Sequence, residues 1–295
     1  MKCALWVALF LLPRAEQPAA DFNTPRQVRR LPGDGQKTEI GVVTWNIDHG
    51  SRLNEITEYL RGNKADLCLL QEVDWNAKRS GVKDVAFELA GRLDMNAAYG
   101  IEFEELSQEA KGPAYIGQAT LTRLPLHQTR VLRFQRQSTF WHPHAWLPSS
   151  LPLMQRRLGS RIALVTELQF AGRLLVVYNP HLESRSMGFI QVEQLDEILA
   201  DLGRYPAGTS AMIAGDINSK YAPSVFLHKL QRAGFRSALG DRVERTHKIA
   251  MALDWIFVRG SLLLEDGEVE RAAKGSDHYP ITAWLKARDL REKSK

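Results

Sequence analysis

Cysteine is nearly absent: the 295 residues contain two, Cys3 and Cys68. That excludes a disulfide framework and a structural zinc site built on thiolates. Cys68 lies inside Leu67-Cys68-Leu69-Leu70 and reads as a small buried hydrophobe. No internal repeat or low-complexity linker divides the chain, so repeat architectures fall away. The apolar run from Cys3 to Leu12 is ten residues, against the roughly 20 that a membrane-spanning helix requires. Charge of one sign is not concentrated either: 39 Lys and Arg face 34 Asp and Glu, net +5, with no dense basic block. That mild excess favours acidic partners such as nucleic acid, phospholipid or phosphorylated metabolites, and is also compatible with solubility alone.

What is present fits one large domain. Hydrophobic residues make up 44% and charged residues 25%, enough to bury a sizeable core. Met1-Lys2, the apolar run and a small-residue patch ending at Ala20 resemble a secretory signal peptide, so a secreted or periplasmic location is expected, with a cytoplasmic one as the alternative. Residues 21–38 hold Pro25, Pro32, Gly33 and Gly35 and read as a linker. Gly33-Asp34-Gly35-Gln36-Lys37-Thr38 looks like a phosphate loop but has no Gly-Lys-Thr in register, and a strand follows it. The body spans 39–287, and 288–295 form a charged tail.

Within the body, β-rich Glu39–Trp45 ends in Asn46-Ile47-Asp48, and Leu53, Ile56 and Leu60 then mark a helix stopping near Gly62-Asn63. Apolar Leu67–Leu70 ends in Gln71-Glu72. Asp84 is placed to cap a second helix with Ala86, Leu89, Ala90 and Leu93 on its inner face. Tyr115–Thr122 and Thr129–Phe134 read as strands, and 135–159, rich in Trp, His and Pro, as a long loop. Arg161–Phe170 and Arg173–Tyr178 form a hairpin about Ala171-Gly172 that runs into Asn179-Pro180-His181. A helix through Val192, Leu195, Ile198 and Leu202 precedes buried Ala211–Ala214, which leads to Gly215-Asp216-Ile217-Asn218. A helix over Ser224–Ala233 closes at Gly234, and the last strands are Leu253–Arg259, Ser261–Leu264 and Ile281–Leu285. Strands outnumber helices, which predicts packed sheets flanked by helices.

Polar groups close the apolar runs: Asn46 and Asp48, Glu72, His181, Asp216 and Asn218, Asp254, and Asp277-His278. A buried carboxylate without a partner costs several kcal/mol, so these groups should share a cation or one another. Hard oxygen ligands with almost no sulfur suit Mg²⁺ or Mn²⁺. With two imidazoles beside them, they predict metal-assisted hydrolysis of a phosphoester. Singly, each has a structural alternative: a cap for Asp48, a backbone partner for Asn46, Asp216 and Asn218, a strand anchor for Asp254. Arg123 and Arg185 are candidates for substrate phosphate, and Trp141 and Trp146 for stacking on bases or entering a membrane surface. His142 and His144 read as packing or surface residues.

In order, Thr-Trp-Asn-Ile-Asp (44–48), Gln-Glu-Val (71–73), Asn-Pro-His-Leu-Glu (179–183), Gly-Asp-Ile-Asn (215–218), Leu-Asp-Trp-Ile (253–256) and Ser-Asp-His-Tyr-Pro (276–280) resemble the motifs of the endonuclease/exonuclease/phosphatase superfamily. Its members include deoxyribonuclease I, apurinic endonucleases, neutral sphingomyelinases and inositol-polyphosphate 5-phosphatases. The resemblance implies an α/β four-layer sandwich of two mixed sheets flanked by helices. It implies Glu72 as principal metal ligand with Asn46 and Asp277, and Asp216 with Asn218 at the attacking water. His278 would lie at the phosphate, oriented by Asp254, with His181 at the phosphate or leaving group and Asp48 as an additional site residue. Pro180 stands where Thr is common, and Gln118 where relatives often carry Asn. The expected substrate is a phosphodiester, nucleic acid first, with phospholipid or inositol phosphate as alternatives. A silent binding module would be expected to lack at least one of Glu72, Asp216, Asn218, Asp277 and His278, and all five are present. No feature marks a protein partner, and a monomer is expected.

Overall fold

The computed structural model describes residues 20–141 and 156–288. In chain order the elements are β1 (Arg26–Val28), β2 (Glu39–His49), α1 (Leu53–Asn63), β3 (Leu67–Ala77), β4 (Lys83–Asp84), α2 (Val85–Leu93), β5 (Asn96–Glu105), β6 (Tyr115–Thr122) and β7 (Leu126–Arg133). There follow β8 (Arg157–Gly159), β9 (Ile162–Phe170), β10 (Arg173–His181), α3 (Phe189–Leu202), β11 (Ser210–Asp216), α4 (Pro223–Arg232), β12 (Arg236–Ser237), β13 (Asp254–Arg259), β14 (Leu262–Val269) and β15 (Ile281–Ala287). One sheet runs β1-β5-β6-β3-β2-β15-β14, with β4 added to β3 and β8 to β5; the other runs β12-β13-β11-β10-β9-β7.

Alternation along the strands builds the four layers. Successive strand side chains point to opposite faces, so Val42, Leu67 and Leu69 enter the core between the sheets while Val43, Cys68 and Leu70 pack under α1 and α2. In the second sheet Val177 and Met212 face the first sheet, and Val176, Tyr178 and Ile213 face α3 and α4. Both central strand sets are thus covered on both sides, which explains their nearly continuous apolar sequence. Cys68 is buried and free, and burial pushes its thiol up to about 12, so it packs rather than reacts. Asp84 caps α2, its Oδ1 accepting from Phe87 N at 3.2 Å. At the turn between β9 and β10, Ala171 and Gly172 both have positive φ, 50° and 72°, the geometry that a two-residue hairpin turn demands.

Three stretches differ from the sequence reading. Inside the expected linker, β1 pairs antiparallel with β5 (Gln27 opposite Ala98), and Arg30 N and Leu31 N both donate to Asn96 Oδ1. The expected loop 135–159 includes β8, which pairs with β5 (Phe103 opposite Gly159), and a short helical turn over Thr139–Trp141. Strand β5 itself carries buried Glu102 and Glu105 where an apolar pattern would mark a strand. The signal-like leader, Trp146, His142, His144 and the tail from 289 lie outside the described residues.

A buried amide joins the sheets. Asn179 of β10 is fully buried; its Nδ2 donates to the carbonyls of Leu70 and Ala119 at 3.2 and 3.0 Å, and its Oδ1 accepts from Gln71 Nε2 at 2.7 Å. Asn179→Ala should strip partners from three groups in a dry interface and lower unfolding stability by about 3 kcal/mol. Urea denaturation measures it, and a loss below about 1 kcal/mol would show that the amide does not hold the sheets together.

Candidate active site

Parallel pairing gathers the polar ends. β2 runs parallel to β3, and β10 parallel to β11, so Asn46, Glu72, His181 and Asp216 leave the same end of the sandwich. Asp254 begins antiparallel β13 directly opposite Asp216, and Ser276–Tyr279 precede β15, antiparallel to β2. The loop before β15 is pinned to β2: Ser276 Oγ donates to Asn46 O at 2.7 Å, and Trp45 Nε1 to His278 O at 2.9 Å. Gly275 has φ +119°, and a Cβ there would meet Ile56 and Trp45, so only glycine passes the chain through this point without strain.

Backbone irregularity turns the acids outward. Register shifts lie between Asn46 and His49 and between Leu70 and Val73. Within or beside them Asp48, His49 and Glu72 have φ of 45°, 68° and 51°, and Asn218, just past β11, has 53°. Left-handed conformations cost non-glycine residues of order 1–3 kcal/mol and cluster where function needs a side chain re-aimed.

Two carboxylate–imidazole pairs face one acid. His278 Nδ1 lies 2.9 Å from Asp254 Oδ2, and His181 Nδ1 lies 3.3 Å from Glu102 Oε2. Their Nε2 atoms point to the same oxygen, Asp216 Oδ2, at 3.9 and 3.6 Å, and Asn46 Nδ2 donates to it at 3.2 Å. Asp216 Oδ1 accepts from Asn218 N at 2.9 Å, and Asn218 Nδ2 donates to Leu182 O at 3.0 Å. Burial opposes charge on His278, but Asp254, then Asp216 and Asp277, outweigh it and push the imidazole up to about 10. Glu102 is held below the ordinary carboxylate range: burial would raise it, and Arg161 and His181 overcome that.

Glu72 forms a second centre at the mouth. Burial would raise its pKa, but His49, His181, Arg157 and His278 together hold it well below the ordinary carboxylate range. Glu72, Asp48 and His49 offer ligand atoms within 4.8 Å of one another, as do Asp216, Asp254 and His278. Asp254 Oδ1 is buried without a partner among the described residues. This oxygen-rich, thiolate-free donor set fits a hard divalent cation.

The structure thus brings Asn46, Asp48, Glu72, His181, Asp216, Asn218, Asp254 and His278 to one end of the sandwich, where a cavity of about 250 Å³ is lined by Glu72, His181, Asp216, Asn218 and His278. Asp277 is half exposed, and its Oδ2 lies 3.2 Å from His247 Nε2, in a group with His247 and His278 separate from that of Glu72. Arg123 is elsewhere: its guanidinium donates to the carbonyls of Leu93 and Asp94 at the end of α2. Trp141 is buried, donates Nε1 to Glu183 and packs on Phe103, so its ring is not a free stacking or membrane-entering surface. Pro180 is accommodated beside Gly215, where a Cβ would come within 2.2 Å of Pro180 O. Gln118 Nε2 donates to Glu102 Oε2 at 3.0 Å.

Sequence reasoning missed Glu102, Arg161, His49 and His247. Glu102 of β5 and Arg161, between β8 and β9, are joined at 2.6 Å though 59 residues apart in sequence, and no local pattern announces them. His49 follows Asp48 directly, and that adjacency was the one available signal.

A sequence model of the Endonuclease/Exonuclease/phosphatase family matches residues 43–278. Among curated protein sequences none matches the chain. Similar solved structures include the human Nocturnin catalytic domain with bound sulfate anion, at TM-score 0.63 and 18% identity over 90% of this chain and 97% of that one. An endonuclease/exonuclease/phosphatase from Beutenbergia cavernae DSM 12333 gives 0.61 and 15% over 85% and 72%. A D. rerio TDP2 humanized by 14 mutations gives 0.59 and 18% over 84% and 99%. At these identities the structures establish the fold, and the family match, running from Val43 in β2 to His278 in the loop before β15, establishes the family. The chain belongs to the endonuclease/exonuclease/phosphatase family and is a metal-dependent hydrolase of ester bonds.

Proposed function

We propose that the chain hydrolyses phosphodiesters with Mg²⁺ or Mn²⁺, with nucleic acid as the favoured substrate class. The observation that carries this reading is the convergence of Asn46 Nδ2, His181 Nε2 and His278 Nε2 around Asp216 Oδ2. Nitrogens of three side chains gathered at one small volume suit an incoming phosphate, whose oxygens carry the charge that develops during transfer. Asp216 takes the proton of the attacking water as the new P–O bond forms, with Asn218 N fixing the carboxylate. His278, charged at neutral pH through Asp254, donates to a non-bridging oxygen. His181, oriented by Glu102, stands to protonate the leaving oxygen as its bond to phosphorus breaks. Glu72 with Asp48 and His49 would hold a divalent cation, which supplies Lewis-acid polarisation of the phosphate and neutralises its charge. The mild basic balance, net +5, supports nucleic acid as substrate.

Hydrolysis of bis(p-nitrophenyl) phosphate tests the chemistry. Glu72→Ala and His278→Ala should each lower turnover by about 100-fold or more, with circular dichroism unchanged. Near-wild-type rates in both would sink the mechanism. EDTA should abolish turnover reversibly, and persistent activity after exhaustive chelation would sink the metal assignment.

The raised His278 pKa also gives a stability signature. A cation favoured in the folded state stabilises fully below its unfolded pKa, near 6.5, and that contribution is lost as pH rises through about 10. Asp254→Asn removes the dominant partner, so its melting-temperature deficit should be widest near pH 6 and narrow by pH 10. Thermal denaturation across that range measures it, and a deficit that widens with pH would contradict the charge assignment.

A further inference from the structure

The cavity lining is of two kinds. Besides Glu72, His181, Asp216 and His278 it includes a wall of cations, Arg157, Arg161, Arg185 and Lys220. Two of these cations are matched: Arg161 Nη1 meets Glu102 Oε1 at 2.6 Å, and Arg157 Nε meets Glu105 Oε1 at 2.6 Å. The other two are not. Lys220 Nζ donates to the carbonyl of Ser184 at 3.2 Å, and the Arg185 guanidinium lies 4.3 Å over the Phe140 ring; among the described residues neither meets a carboxylate.

Ser184 joins this wall into one unit. Its Oγ accepts from Arg161 Nη2 at 2.9 Å while its carbonyl accepts from Lys220. Arg161 is 2% exposed, and its buried Nε has no partner among the described residues. Lys220 follows Asn218 by two residues and Arg185 follows His181 by four. At no more than about 3.6 Å per residue, their Cα atoms lie within about 7 and 14 Å of those catalytic positions. The phosphate undergoing reaction already has Asn46, His181 and His278 as donors, so this wall exceeds the needs of one phosphate. Two cations at the cavity lining without a carboxylate partner among the described residues leave charge for another anionic group.

We propose that Arg161, Arg185 and Lys220, joined through Ser184, form a subsite for a second phosphate of the substrate. The inference rests on the phosphodiesterase reading and narrows it to substrates with at least two phosphate groups, as in a nucleic-acid strand or a bisphosphorylated metabolite. Met187 and Tyr221, exposed by 64% and 49%, lie in the same loops, and Phe189, exposed by 79%, opens α3 beside them, so a lipid surface is the competing occupant of these cations.

Titration calorimetry on the full-length protein compares two probe pairs that differ by one phosphate: adenosine 3′,5′-bisphosphate against adenosine 5′-monophosphate, and inositol 1,4-bisphosphate against inositol 1-phosphate. At about 0.1 M salt the bisphosphate of at least one pair should bind about tenfold more tightly or better. The pair that shows the preference identifies the source of the phosphate. In Arg185→Ala/Lys220→Ala the preference should fall to within about twofold, and Arg185→Lys/Lys220→Arg, which keeps both charges, should retain most of it. Equal affinities within both pairs overturn the subsite, as does a preference that survives the double alanine change. Equal affinities with sedimentation on phosphatidylserine vesicles that the double alanine change abolishes would assign the cations to a membrane. Bis(p-nitrophenyl) phosphate hydrolysis by the wild type separates this result from the parent reading. A bisphosphate preference without that hydrolysis keeps the subsite and removes the catalytic assignment.

Discussion

Asp74, Glu102, Glu105, Glu183, Asp216 and Asp254 are each no more than 2% exposed, and neutralising them shapes the end of the sandwich that carries the candidate site. An ion taken from water costs several kcal/mol after relaxation, and breaking a buried pair costs about 3–5 kcal/mol. The partners therefore form a continuous network. His49 stands between Glu72 and Asp74, Arg79 grips Asp74 at 2.7 Å and reaches Glu105 at 3.2 Å, and Glu105 holds Arg157. Glu102 binds Arg161 and orients His181, and Asp254 holds His278. Glu183 alone is satisfied without a cation, by Trp141 Nε1 and the amides of Ser138 and Arg185. That arrangement fixes the start of the segment that carries Ser184 and Arg185.

Each sheet supplies half of the candidate site in a similar way. In both, a parallel strand pair ends in an amide or imidazole on one strand and an acid on its neighbour: Asn46 and Glu72 on β2 and β3, His181 and Asp216 on β10 and β11. Ligands commonly sit beyond the carboxyl ends of parallel strands, where side chains from adjacent strands converge. Here the two halves meet across the sandwich core, and Asn46 of one sheet donates to Asp216 of the other.

The architecture was largely legible in the sequence because it is written in local periodicity. The helices at Leu53, Val85 and Phe189 and the hairpin at Ala171-Gly172 fall where apolar spacing and turn chemistry put them. Strand β5 was not legible, because its buried Glu102 and Glu105 look like solvent-facing residues until Arg161, just before β9, and Arg157 of β8 arrive to meet them. In the site, residues at motif positions were readable, and their supporting shell was not. His49 and His247 carry no motif of their own. The positive φ of Glu72 and Asn218, which re-aims both side chains, is a property of backbone register that no residue identity states.

Because the groups of the candidate site come from two sheets, their separation is set by sheet packing more than by any loop. Asn179 and Gln71, bonded at 2.7 Å, precede His181 by two residues and Glu72 by one in sequence, on the strands that carry those side chains to the candidate site. Buried amides are costly unless every partner is present, so this junction accepts only one registration of β10 against β3 and β6. A slide of one sheet by a single residue would leave Leu70 O and Ala119 O without donors and would also part Asn46 from Asp216. The same hydrogen bonds therefore specify the sandwich and the geometry of the candidate site, and a variant that loosens one must loosen the other.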